Sequence, residues 1–253
     1  MLVDPALPRH LVGWQSPRLG LDMPIASYGE RGHPLLLFPA GQGDCLEVER
    51  LRLIQAIEPL IFAGRCRVFC AESVNRHAWL NPEIHVAEAA RRQALYAAYV
   101  EEEVVPYIRR VTGAPDARIA VAGAGFGAYN AANQLFRRPD LFDALIGISG
   151  FYDIDPEHAR GRRDENVYFN NPVAYLANLD DAETLSWLRE RTRIHLVGGR
   201  GRGETPQRSE QLSWVLEAKG IPHELDLWGP DVEHTPAWWG RMLAHHAGER
   251  LGW

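Results

Sequence analysis

The 253-residue chain carries 27 Lys and Arg against 33 Asp and Glu, a formal charge of −6, with 46% hydrophobic residues. That is enough apolar material for a full core. It leaves no basic stripe for nucleic acid and no apolar run of the ~20 residues that a membrane-spanning helix needs. The three cysteines, Cys45, Cys66 and Cys70, form neither a disulfide framework nor a C-x-x-C metal pair and read as buried thiols. Met1 is followed by no basic-then-apolar leader, so a cytoplasmic chain without a membrane anchor is the expectation.

Strand-like and helix-like segments alternate along the chain, which predicts an α/β fold with a mostly parallel sheet between helices. Residues 11–16 and 22–28 read as a hairpin-like pair of edge strands. Residues 35–38, Leu-Leu-Leu-Phe, form a short apolar run of the kind buried on both faces. A helix is expected over 47–63 and a strand over 67–70. A long amphipathic helix is expected over 86–112, bent or ended near Pro106. Residues 119–122 and 144–148 are further strands, with a helix at 129–136 between them. Residues 150–190 form an irregular, cap-like excursion containing the Arg160–Arg163 cluster. Strands at 194–197 and 224–228 flank a helix at 206–219, and residues 236–248 close the chain. No linker, repeat or low-complexity run divides residues 1–253, so one domain is favoured.

The most informative segment is Gly123-Ala124-Gly125-Phe126-Gly127, a turn between strand and helix. It fits the G-x-S-x-G nucleophile elbow of hydrolases, except that Gly125 stands where the serine belongs. It also fits G-x-G-x-x-A, a dinucleotide-binding turn. That motif normally opens its domain and wants an acidic residue ~20 positions later, whereas here the turn lies mid-chain and the next strand ends in Ser149-Gly150. A glycine-rich turn without chemistry is the third possibility. An elbow requires its acid and its histidine later in the chain. His234, in the loop after the last strand, fits the general base. Glu204, past the strand ending at Val197, fits the acid that orients it, and Asp153 is the alternative acid. Two backbone N–H groups would form an oxyanion hole, one from Phe126 and the other from Ala40 or Gly41 in the loop after the early strand. His245-His246 read as a solvated face, with no metal expected, because neighbouring helical side chains diverge by ~100°. Trp238-Trp239 read as packing. Arg76-His77-Ala78-Trp79 reads equally as a crevice lining or a surface loop.

With these residues in place, the chain resembles the esterase D-like group of α/β-hydrolases. The resemblance rests on Leu35-Leu-Leu-Phe-Pro39, the Gly123–Tyr129 turn with Arg138-Pro-Asp-Leu-Phe142, Ser149-Gly-Phe-Tyr-Asp153, Asn166-Val-Tyr-Phe-Asn-Asn-Pro172 and Leu227-Trp-Gly-Pro-Asp-Val-Glu-His234. It implies an α/β-hydrolase fold and a serine esterase without cofactor, acting on a small-molecule ester. The family serine would fall at Gly125, the histidine at His234 and the acid near Glu204. Glycine cannot form an acyl-enzyme. The expectations are therefore an impaired or inactive esterase, a ligand- or partner-binding pseudo-hydrolase, or slow hydrolysis by a water that His234 activates.

Overall fold

In the computed structural model, residues 3–162 and 164–252 are described; Met1, Leu2, Trp253 and Arg163 of the arginine cluster lie outside them. Eight strands form one sheet: β1 (Arg9–Gln15), β2 (Asp22–Tyr28), β3 (His33–Phe38), β4 (Cys66–Ala71), β5 (Ile119–Ala124), β6 (Phe142–Ile148), β7 (Arg193–Gly198) and β8 (Glu224–Leu227). Their spatial order is β1-β2-β4-β3-β5-β6-β7-β8. The β1–β2 and β2–β4 pairs are antiparallel. Every pair from β4 to β8 is parallel.

The helices are α1 (Glu47–Arg50), α2 (Leu53–Phe62), α3 (Val86–Tyr99), α4 (Val105–Thr112), α5 (Phe126–Arg137), α6 (Glu165–Phe169), α7 (Pro172–Ala177), α8 (Ala182–Glu190), α9 (Pro206–Ala218) and α10 (Pro236–His245). They cover both faces, as side-chain alternation demands. Leu36 and Phe38 point into one core with Tyr96, Val121, Leu145 and Leu212. Leu35 and Leu37 point into the other with Ile54, Ile57, Ala122, Ile146 and Met242. Strands β3 and β5 are buried almost throughout, so their near-continuous apolar runs are those of central parallel strands.

Two long helical expectations resolve into pieces. The segment expected as one helix over 47–63 breaks at Arg52, whose φ of 61° turns the chain so that both Val48 and Leu53 reach the core. The 86–112 helix does not end at Pro106. A π turn, Val100–Val104, joins α3 to α4, and this wider turn takes up the mismatch left by a proline without an N–H. The 150–190 excursion holds a π turn (Asp155–Ala159) and α6 to α8. Its Phe151, Ile154, Ala159 and Val167 form a third cluster with Trp79, Phe126 and Tyr129. No helix among the described residues is long and apolar enough to cross a membrane.

Candidate active site

The elbow follows β5. Gly125 has φ 54° and ψ −117°, a region that costs a side chain ~1–3 kcal/mol and glycine little. Its N–H donates to the Ile148 carbonyl at 3.0 Å. The flanking glycines serve packing. A Cβ on Gly123 would overlap the Gly127 backbone, and one on Gly127 would lie 2.5 Å from the Phe38 carbonyl. At Gly125 a Cβ would meet only the Ala40 carbonyl, at 3.1 Å. The strand–turn–helix is thus built like a nucleophile elbow with no hydroxyl at its apex.

Each of the three expected oxyanion-hole donors is already engaged. The Phe126 N–H donates to the Ala40 carbonyl at 3.1 Å. The Ala40 and Gly41 N–H groups donate to one oxygen of Glu47, at 2.6 and 3.2 Å. Glu47, the first residue of α1, folds back over the loop and fills the space that a side chain at Gly43 would need. A protein carboxylate therefore takes two of the three N–H groups expected to form the oxyanion hole. Buried polar groups fix the loop from below. Asn75 Nδ2 donates to the Gly41 carbonyl at 2.6 Å, Asn130 Nδ2 donates to Asn75 Oδ1, and Gln93 Nε2 donates to Asn130 Oδ1. Ser73 Oγ donates to the Gly43 carbonyl. Glu72, paired with Arg76, accepts the Cys45 N–H.

Glu204 and His234, expected as acid and base, come together. His234 Nδ1 lies 3.4 Å from Glu204 Oε1, with the imidazole 35% exposed and the carboxylate 2%. The cause is a close interlock of the loops after β7 and β8. The Gly201 N–H donates to the Val232 carbonyl at 2.9 Å and the His234 N–H to the Arg202 carbonyl at 3.0 Å. A Cβ on Gly201 would sit 2.6 Å from that Val232 oxygen. Ser149, at the end of β6 with φ 45°, donates its hydroxyl to Glu204 Oε1 at 2.7 Å. Burial alone would raise the Glu204 pKa, but hydrogen bonds from His234, Ser149 and the Gly199 N–H outweigh it and hold the carboxyl below its usual range. Asp153 is committed elsewhere: its oxygens accept from Asp155 N–H, Asn171 and Gln211.

Glu47 and Ser149 were not expected. A serine directly after a parallel strand was a usable signal, because that position faces the same crevice. A glutamate opening a helix gave none, being ordinary there. The aromatic surroundings came partly from the excursion. Phe126 packs on Phe151 (4.7 Å between ring centroids) and on His158 (5.1 Å), whose pKa burial lowers. Trp79 is buried and donates to the Tyr129 hydroxyl, while Arg76 pairs with Glu72, so both ends of that stretch are tied to the framework. Trp239 packs edge-on against His234 at 4.9 Å, and Trp238 packs against Trp228. His246 is fully buried, which corrects the solvated face expected for it: α10 lays its C-terminal end on β7 and β8.

No protein-family model matches the sequence, and no curated protein matches it. Solved structures do match over nearly the whole chain. A ferulic acid esterase superposes with TM-score 0.73 at 16% identity, over 94% of this chain and 95% of its own. An S-formylglutathione hydrolase from Agrobacterium tumefaciens gives TM-score 0.72 at 14% identity, over 99% and 98%. MPT51 (FbpC1) of Mycobacterium tuberculosis gives 0.72 at 16% identity, over 98% and 99%. At these identities the likeness speaks for architecture, and the chain has the α/β-hydrolase fold.

Proposed function

We propose that this chain is a serine-esterase-type α/β-hydrolase that has lost acyl transfer and binds, without cleaving, a small ester or related carbonyl ligand at the carboxyl edge of its sheet. The observation that carries the proposal is the oxyanion loop: Ala40 and Gly41 give their N–H groups to Glu47, and Phe126 gives its own to Ala40. Loss of a nucleophilic serine costs about 10⁶ in kcat, and what survives in such enzymes comes from the oxyanion hole and binding. Each missing oxyanion donor removes a further ~10²–10³. A chain short of both has no route to an acyl-enzyme. The architecture shared with the solved ferulic acid esterase and S-formylglutathione hydrolase supports an esterase-type origin for the site.

The test is hydrolysis of p-nitrophenyl acetate by the chain and by its His234→Ala variant. Equal rates are expected. A wild-type rate well above the variant's would favour a second reading, in which His234, still paired with Glu204 and one-third exposed, activates a water directly.

A further inference from the structure

The far end of the sheet, at the amino ends of β7 and β8, holds a second cluster of chemically capable side chains. His195 and Glu224 are direct partners in the β7–β8 register, with His195 Nδ1 3.1 Å from Glu224 Oε2. His246, directly after α10, brings its ring centroid to 5.2 Å from that of His195. One ligating atom from each of the three lies within 4.8 Å of the others.

His246 supplies the observation that a plain hydrogen-bonded cluster does not explain. It is fully buried. Its Nε2 lies 3.2 Å from Asp226 Oδ2, and its Nδ1 has no hydrogen-bond partner among the described residues. With the ring proton on Nε2, facing the Asp226 carboxylate, Nδ1 presents a bare lone pair. Burying that lone pair without a donor is unfavourable, whereas a carboxylate–imidazole pair with one free nitrogen is the usual support of a metal ligand.

We propose that His195, Glu224 and His246 form a binding site for a divalent transition-metal ion of the zinc class, with Asp226 orienting His246. Two imidazole nitrogens and one carboxylate suit zinc and its neighbours, while calcium and magnesium prefer sets of oxygens. The overlapping group of Asp226, His245 and His246 is the weaker candidate. There Asp226 Oδ2 already serves both His246 and Trp228, and His245 pairs with Glu249. Glu224 is 35% exposed and gives the ion a way in. Arg250, 3.4 Å from Glu224 Oε1, is a competing cation on the other oxygen. Bound there, the ion would join β7, β8 and the C-terminal segment.

The experiment strips the full chain with chelator, titrates it with Zn²⁺ by calorimetry, and follows Co²⁺ by its visible absorption. Glu224→Gln and His195→Gln are the variants, with circular dichroism as the check on folding. One ion per chain is expected, with affinity falling at least ~10-fold in either variant and a Zn²⁺-dependent rise in Tm confined to the wild type. Folded wild type that takes up neither metal would overturn the proposal. So would variants that bind as tightly as wild type, or binding lost in His245→Ala and kept in Glu224→Gln.

Discussion

Placing a hydroxyl at position 125 will not by itself produce an esterase. In Gly125→Ser the new Cβ lies 3.1 Å from the Ala40 carbonyl, tight enough to require a small shift of that loop. The residue must also hold φ near 54°, at ~1–3 kcal/mol. At about 2–4 °C per kcal/mol for a domain of this size, Tm should fall by several degrees. The serine would still face a loop whose Ala40 and Gly41 N–H groups are bound to Glu47. Adding Glu47→Ala frees those donors, and one recovered donor is worth ~10²–10³ in kcat. The double variant should therefore turn over p-nitrophenyl acetate at least ~100-fold faster than Gly125→Ser alone, and His234→Ala should abolish that gain. Steady-state rates, with near-ultraviolet circular dichroism to confirm packing, decide the matter. Equal activity of the single and double variants would refute the role given to Glu47. A double variant that is folded yet inert would show that freeing the donors and placing the hydroxyl do not suffice.

Four further outcomes are expected. Ser149→Ala should cost ~1.5–3 kcal/mol at neutral pH, the worth of a hydrogen bond to a charged group. Because the Glu204 pKa is depressed in the folded state, its stabilising effect is present above the unfolded value of ~4.3 and is lost as pH falls through the folded one. Glu204→Gln should accordingly lose Tm relative to wild type at pH 7, with the gap closing on acidification below that value. Gly123→Ala and Gly127→Ala should each be severely destabilised, by ~3 kcal/mol or more, because the added methyl meets backbone. Gly125→Ala should lose only the ~1–3 kcal/mol of dihedral strain, and chemical denaturation would rank the three. Finally, burial pushes the Cys45 and Cys66 thiols up to about 12 and Cys70 well above its usual value. Ellman's reagent should label none of them in the native protein and all of them in guanidinium.

Alternation of short apolar runs with amphipathic segments was enough to place the strands. The glycine spacing at 123, 125 and 127 located the tight turn between β5 and α5, because close backbone contact and positive φ leave few other residues possible there. Chain order and loop position also pointed to Glu204 and His234, now 3.4 Å apart. Other features depend on contacts between residues distant in sequence. Glu47 reads as an ordinary helix-opening acid until the 39–45 loop folds beneath it. The break at Arg52 and the π turn before Pro106 are local accommodations to the core. His246 reads as a surface residue until α10 docks on β7 and β8.

The interlocked loops after β7 and β8 extend their pairing past the end of the sheet. Trp228 N–H donates to the Gly198 carbonyl, Arg200 to Gly229, Gly201 to Val232 and His234 to Arg202. Glu204 and His234 are thus carried on one hydrogen-bonded unit that must open together. In hydrogen exchange, the amides of Gly201, Trp228 and His234 should share a single opening free energy. A ligand that touched either loop would slow the exchange of both.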